Sequence, residues 1–122
     1  MIKIGLLGCG NIGHIIAEHA TGFTIAAVYD VVPERAQEIA RISGGRAYGD
    51  FASFISADFD IVVEAASVVA VWMHAQDILS HHKNLIIMSV GALADPEFRD
   101  QIRMTALASG TKIYIPSGAI FG

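Results

Sequence analysis

Cysteine, basic residues and long apolar runs are scarce in this sequence. Of 122 residues, one is cysteine and eight are lysine or arginine, against twelve aspartate or glutamate. A single cysteine excludes an internal disulfide. A net charge of -4 without a basic cluster argues against nucleic acid or an anionic membrane as a partner. No apolar run reaches the roughly 20 residues that cross a bilayer. The chain opens on a strand pattern rather than a signal peptide, so we expect a cytoplasmic protein.

The chain has instead a high apolar content, arranged in alternating strand and helix patterns. With 53% hydrophobic residues, residues 1–122 suffice for one α/β domain with its own core. The alternation is typical of a parallel sheet with right-handed crossovers. The predicted fold is therefore a doubly wound parallel sheet of the Rossmann type, in strand order 3-2-1-4-5-6. Its predicted strands are 2–7, 23–29, 46–48, 60–65, 85–88 and 113–115, the last of them ended by Pro116.

Helical periodicity and terminal residues predict the helices between these strands. Pro33 and Asp95-Pro96 begin the second and the last long helices, and Ser67 caps the one between, whose inward face is expected to include Trp72. A brief helix is expected over 51–55. The first helix is expected to end near Thr21-Gly22, and to place on the sheet the residues Ile12, Ile15, Ile16, His19 and Ala20.

A glycine-rich turn joins the first strand to the first helix. Gly8, Gly10 and Gly13 have the spacing G-x-G-x-x-G, which follows a strand and opens a helix in dinucleotide-binding folds. Gly8 permits the tight turn, Gly10 leaves room for a pyrophosphate, and Gly13 allows close packing of the helix. The phosphates then contact free N–H groups at the helix start, where Asn11 and Ile12 lie. We expect this turn to bind a dinucleotide.

Asp30 ends the second strand, about twenty residues after the turn, where an acidic residue binds the adenosine ribose. A carboxylate repels a 2′-phosphate and the neighbouring Val31 supplies no positive charge, so NAD is expected in preference to NADP. Arg35 lies close enough to weaken that preference. The alternative interpretation is that Asp30 caps the following helix.

Small residues fill the other loops at the carboxyl ends of the strands, where ligands bind in this fold. These loops are Ala65-Ala66-Ser67, Ser89 to Ala92 with Gly91, and Ser117-Gly118-Ala119. The alternative is that small residues only make the turns tight. No general acid or base stands out, the histidines lack metal-ligand spacing, and Cys9 is expected to pack inward. We therefore predict neither a catalytic residue nor a metal ligand in this chain.

Three further segments resemble the L-aspartate dehydrogenase family. They are Val63-Glu64-Ala65-Ala66-Ser67, Met88 to Asp95, and Ile115 to Ile120. The resemblance implies NAD(P)-dependent oxidation of L-aspartate to iminoaspartate, a step of NAD biosynthesis. It also implies that Ala66, Gly91 and Ala119 lie towards the nicotinamide. The alternatives are the cofactor half of a homoserine dehydrogenase or dihydrodipicolinate reductase relative, or a stand-alone NAD-binding or NAD-sensing module.

The resemblance also implies a missing half. Members of that family are about twice as long, and their second domain carries the catalytic histidine and most of the substrate pocket. Phe121 also stands where the family pattern has glycine. We therefore expect a truncated chain that binds NAD, is inactive alone and binds L-aspartate only if the second domain is supplied. A bare sixth strand and an uncovered sheet face would favour a homodimer or association with the missing half.

Overall fold

A single sheet runs through the computed structural model, which describes residues 1–121 and, for residues 118–121, the backbone alone. Its strands are β1 (Ile2–Leu7), β2 (Phe23–Tyr29), β3 (Arg46–Ala47), β4 (Ile61–Glu64), β5 (Asn84–Ile87), β6 (Ile113–Ile115) and β7 (Gly118–Phe121). Their order is β3-β2-β1-β4-β5-β6-β7. All pairs from β3 to β6 are parallel. The predicted doubly wound order of six strands is confirmed.

Five α-helices and one 3-10 helix connect the parallel strands. They are α1 (Asn11–Glu18), α2 (Pro33–Ser43), α3 (Phe51–Ile55), α4 (Val68–Ser80), the 3-10 helix Val90–Ala94 and α5 (Pro96–Ser109). The predicted caps are confirmed, since Ser67 accepts from the amide of Ala70 and Asp95 accepts from that of Glu97. No described helix combines the length and the apolar character that a membrane span requires.

The hairpin after β6 departs from the prediction. Pro116 and Ser117 form a turn, and β7 returns antiparallel to β6 with Ile115 opposite Gly118 and Tyr114 opposite Ala119. The expected bare sixth strand is therefore wrong, as is the loop at Ser117-Gly118-Ala119, because Gly118 and Ala119 belong to a strand. Proline lacks an N–H and has a fixed φ, so it ends one strand and also favours the turn that starts the next.

Two apolar clusters cover the two faces of the sheet. The larger joins α3, α4 and α5 to the strands and includes Phe54, Leu79 and Ile102. The smaller joins α1 and α2 to β1, β2 and β4, and its buried residues include Ala17 and Ile39. Alternating strand residues supply the two clusters, as expected for a sheet buried on both faces.

Helix α1 packs on the sheet with a different face from the predicted one. Gly13 and Ala17 are its buried residues, whereas Ile12 and Ile15 are 48% and 59% exposed. His19 and Ala20 lie beyond the helix end and are exposed. The cause is the close approach of Gly13 to the turn, where a Cβ would lie 2.5 Å from the carbonyl oxygen of Gly8. That contact sets the rotation of the helix and leaves Ile12 and Ile15 outside, whereas Ile16 packs partly buried against the smaller cluster, as predicted.

Trp72 is also placed differently from the prediction. It is 51% exposed, and its indole N–H donates to the carbonyl oxygen of Ala92 over 3.2 Å. The inward residues of α4 are Val71, Ala75 and Ile78. At the edge of the apolar face, the indole N–H of Trp72 finds a hydrogen-bond acceptor. A fully buried indole would need such an acceptor inside the core.

Candidate functional site

A cleft of about 280 Å³ opens at the carboxyl ends of β1, β2 and β4. It lies where the chain order of the strands reverses, between β1 and β4, which is the ligand position in open α/β sheets. Seven of the predicted residues meet there: Gly8, Gly10, Asp30, Val31, Ala65, Ala66 and Ser67. The remaining lining comes from Leu7, Tyr29, Arg35, Ala70 and His74.

The glycine turn has the geometry that its spacing predicts. Gly8 adopts a φ of 96°, and a Cβ there would lie 2.6 Å from the Cβ of Ala66. The amide of Gly8 donates to the carbonyl oxygen of Tyr29 over 2.9 Å, so the turn is tied to β2. A Cβ on Gly10 would meet no protein atom within 4 Å. The chain therefore requires glycine at position 8 for its own folding, whereas at position 10 the glycine keeps open space inside the cleft.

The start of α1 differs from the starts of the other α-helices. Helices α3, α4 and α5 have side-chain caps from Asp50, Ser67 and Asp95, and α2 has Glu34 in its first turn. Helix α1 begins at Gly10 with no side-chain cap and no acidic residue in its first turn. Its first N–H groups, which belong to Asn11, Ile12 and Gly13, therefore have no acceptor of this kind. Together with the positive end of the helix dipole, they fit the pyrophosphate of a dinucleotide.

Asp30 holds the turn and faces the cleft at the same time. Its Oδ2 accepts from the amide of Cys9 over 2.7 Å, and its Oδ1 accepts from that of Val32 over 2.8 Å. The cap of α2 is Val32 and shows no side-chain bond, so Asp30 does not cap that helix in the usual position. Each carboxylate oxygen can accept more than one bond. Asp30 therefore retains the capacity to bind ribose hydroxyl groups.

Five predicted site residues lie outside this lining. Asn11, Ile12 and Gly13 form the first turn of α1, directly after Gly10. The other two are Gly91 and Ala119. Gly91 is in the 3-10 helix, where a Cβ would lie 3.4 Å from a methyl group of Val68. Ala119 lies on β7, and its side chain is outside the described part of the chain. Their assignment to the nicotinamide side stays a prediction, as does the binding role of each cleft residue.

The structure adds two residues that the sequence argument did not select. His74 lines the cleft and stacks on Phe51, with 3.9 Å between the ring centroids. Burial lowers the pKa of His74, although Asp77 opposes the shift. Glu64 is fully buried at the end of β4. The sequence holds one signal for each residue. His74 lies four residues after Ala70, on the same helix face, and Glu64 is an acidic residue at the end of an apolar strand.

Cys9 has no reactive character in this site. Its side chain is 4% exposed. Burial raises the pKa of its thiol to about 12, and the negative charge of Asp30 adds to the shift. The burial confirms that Cys9 packs inward. The raised pKa disfavours the thiolate, which is the reactive form of a cysteine.

The fold and the cleft define the class of the protein. Dinucleotide-binding α/β domains share a parallel sheet with this strand order and a glycine turn that leads into a helix. They also have a carboxylate at the end of the second strand, close to that turn. The family model described as "Homoserine dehydrogenase, NAD binding domain" matches residues 5–116. The chain belongs to this family and is an NAD-binding domain.

Curated relatives are similar over the whole chain. An L-aspartate dehydrogenase of Methanospirillum hungatei is 56% identical over 122 residues, which are 100% of this chain and 48% of the relative. An L-aspartate dehydrogenase of Methanocaldococcus jannaschii is 41% identical over 127 residues, again 100% of this chain and 48% of the relative. The chain thus spans about half the length of the curated relatives it matches.

A solved structure supports the fold. The 3-ketoreductase KijD10 of Actinomadura kijaniata, in complex with NADP and TDP-benzene, superimposes with a TM-score of 0.82. The match covers 94% of this chain and 37% of that one at 17% sequence identity. At this identity the similarity concerns the fold alone.

Proposed function

We propose that this chain is the cofactor-binding half of an NAD-dependent L-aspartate dehydrogenase, within a single domain over residues 1–122. The observation that carries the proposal is the uncapped start of α1, whose N-cap residue Gly10 lines the cleft and has open space where a Cβ would lie. The relatives named L-aspartate dehydrogenase support the choice of substrate. The predicted cytoplasmic location belongs to the same proposal.

In this proposal each part of the cleft binds one part of the dinucleotide. The amides of Asn11, Ile12 and Gly13 bind the pyrophosphate, and Asp30 accepts from the adenosine ribose. The loop at Ala65, Ala66 and Ser67, together with Gly91 and Ala119, faces the nicotinamide. The bound cofactor supplies the hydride acceptor. The chain's own residues orient it, which removes most of the entropic cost of bringing hydride donor and acceptor together.

Among the described cleft residues, the titratable side chains are those of Tyr29, Asp30, Arg35 and His74. Tyr29 ends β2, Asp30 follows it directly, and Arg35 lies on α2, all on the side that we assign to adenosine. His74 is stacked on Phe51 of α3. We propose that none of them transfers a proton to substrate, and that the catalytic histidine and the L-aspartate pocket belong to a second domain. The chain alone is then inactive, because hydride transfer requires a positioned substrate in a site closed to water.

An apolar sheet face supports association with another domain or chain. A groove of about 420 Å³ is lined by Ile2, Ile4, Ile16, Gly22, Phe23, Ile61, Val63, Ile86 and Met88. It lies on the face of α1 and α2, where Ile61, Ile86 and Met88 are only partly buried against the smaller cluster. Apolar surface of this kind is typical of interaction sites. We propose that it is covered in a homodimer or by the missing half.

A second candidate function comes from the family itself. The matching family model is described as a homoserine dehydrogenase NAD-binding domain. In our proposal the cleft binds the cofactor and not the substrate, so it does not distinguish the two amino-acid substrates. The names of the relatives favour L-aspartate. A stand-alone NAD-binding or NAD-sensing module is the third possibility.

A chimera would test the proposed function. Residues 1–122 would be joined to the second half of the Methanospirillum hungatei relative, with the intact relative as the positive control. We expect L-aspartate to reduce NAD in the chimera but not with residues 1–122 alone, as followed by the absorbance of NADH. Oxidation of L-homoserine without L-aspartate would favour the second candidate. An inactive chimera whose first half still binds NAD would favour the module.

A further inference from the structure

Glu64 is the one acidic residue that is fully buried in the described part of the chain. It ends β4, and none of the described ion pairs includes it. A buried carboxylate without a cation is costly unless hydrogen bonds satisfy both of its oxygens. The surrounding structure must therefore supply several donors to this side chain.

Four donors surround the Glu64 carboxylate, two at each oxygen. Oε1 accepts from the amides of Met88 over 3.0 Å and Ser89 over 2.9 Å. Oε2 accepts from the amide of Ala66 over 2.8 Å and from the Ser89 hydroxyl over 2.7 Å. An ionised carboxylate only accepts hydrogen bonds, so it fits a site in which every neighbour donates.

These bonds connect two loops beyond the end of the strand pairing. The register of β4 and β5 ends at Glu64 opposite Ile87. Ala66 belongs to the loop that follows β4, and Met88 and Ser89 belong to the loop that follows β5. One main-chain bond, from the Met88 amide to the carbonyl oxygen of Glu64 over 3.1 Å, continues the pairing. The Glu64 side chain adds the bonds that reach Ala66 and Ser89. A hydrophobic residue would pack at this position but could not accept from these donors.

We propose that Glu64 is a positioning residue that holds the loops after β4 and β5 at the spacing that receives the nicotinamide half of the dinucleotide. This inference rests on the proposed function, which assigns Ala66 and Gly91 to that half. Ala66 lines the cleft, and Ser89 directly precedes the 3-10 helix that contains Gly91. Because Glu64 is 0% exposed and its acceptors are occupied, it acts through the loops and does not touch substrate.

The replacement Glu64→Gln would test the inference. If the amide oxygen keeps the bonds to Met88 and Ser89, the NH₂ group faces the N–H of Ala66, so two donors oppose each other and that bond is lost. The Ser89 hydroxyl can rotate and accept instead. We expect the dissociation constant of NAD to rise about tenfold. That of ADP-ribose, which lacks the nicotinamide, is expected to change less than about twofold.

Two further variants make this test selective. Ser89→Ala removes the hydroxyl bond alone. We expect it to raise the dissociation constant of NAD about threefold and to leave that of ADP-ribose nearly unchanged. It keeps the inference falsifiable if Glu64→Gln does not fold. Glu18→Gln, at an exposed residue of α1, is the matched control and is expected to change neither ligand. Titration calorimetry on the 122-residue chain measures all the constants.

The contrast between the two ligands separates positioning from a general structural role. Equal losses of NAD and ADP-ribose affinity in the folded Glu64 and Ser89 variants would overturn the inference. A wild-type chain that binds NAD no more tightly than ADP-ribose would also overturn it, because the loops would then contribute nothing to the nicotinamide. A wild-type chain that binds neither ligand overturns the proposed function, and this inference with it.

Discussion

Replacing Gly10 with alanine is expected to raise the dissociation constant of NAD at least about tenfold while leaving the fold intact. The added methyl group meets no protein atom within 4 Å, and because Gly10 lines the cleft, we expect the methyl group to take space that the pyrophosphate would occupy. Gly10 has a φ of -79°, which alanine adopts without strain. The poorer N-cap of alanine costs about 0.5–1 kcal/mol, and the loss of unfolded-state entropy offsets a similar amount.

Two other glycines give this test its controls. Gly49→Ala makes the same chemical change in open space outside the cleft and is expected to affect neither binding nor stability. Gly8→Ala is expected to destabilise the fold by about 2–5 kcal/mol, because it combines a positive φ with a backbone clash. Calorimetry for NAD and urea unfolding for stability measure these effects. Unchanged NAD affinity in a folded Gly10→Ala protein would contradict the assignment of the turn.

Replacing Asp30 with alanine is expected to raise the dissociation constant of NAD about 10- to 100-fold, since hydrogen bonds to a charged group contribute about 1.5–3 kcal/mol each. Part of the loss comes from the ribose. Another part comes from the amide of Cys9, which donates to Asp30 over 2.7 Å and would lose its acceptor. The affinity for NADP is expected to fall much less, because removal of the carboxylate ends its repulsion of the 2′-phosphate. Arg35, which lines the same cleft, supplies a positive charge for that phosphate.

The ratio of the two dissociation constants is the decisive readout for Asp30. We expect the preference for NAD over NADP to fall at least about tenfold in the variant. Glu34→Gln removes a nearby negative charge that does not line the cleft, and it serves as the control for long-range electrostatics. If Asp30→Ala weakens NAD and NADP equally, Asp30 acts only on the turn and does not select the cofactor.

Features determined by local chemistry could be predicted from the sequence. The glycine spacing predicts the turn, and the positive φ of Gly8 and the close contact at Gly13 agree with the task of each. Ser67 and Asp95 cap the helices that their positions predict. The strand order follows from the alternation of elements and the handedness of their connections. Each inference needs only a short stretch of chain or a general topological rule.

Features that depend on tertiary contacts could not be predicted in this way. The apolar periodicity of α1 favours Ile12 and Ile15 as buried residues, but the contact between Gly13 and Gly8 rotates the helix to bury Ala17. The importance of Glu64 is apparent only when the loop after β5 is placed beside it. The sequence pattern of β4 shows an acidic residue after apolar ones, and nothing in it reveals donors from 24 and 25 residues away.

Amide chemical shifts measured by NMR during titration with NAD test whether the glycine turn and the start of α1 bind the dinucleotide. We expect the largest shifts at Gly10, Asn11, Ile12 and Gly13, with further shifts at Asp30 and Val31. The apolar sheet face at Ile61 and Ile86 is expected to change little. Saturable shifts confined to that face, or no shifts at millimolar NAD, would contradict the account.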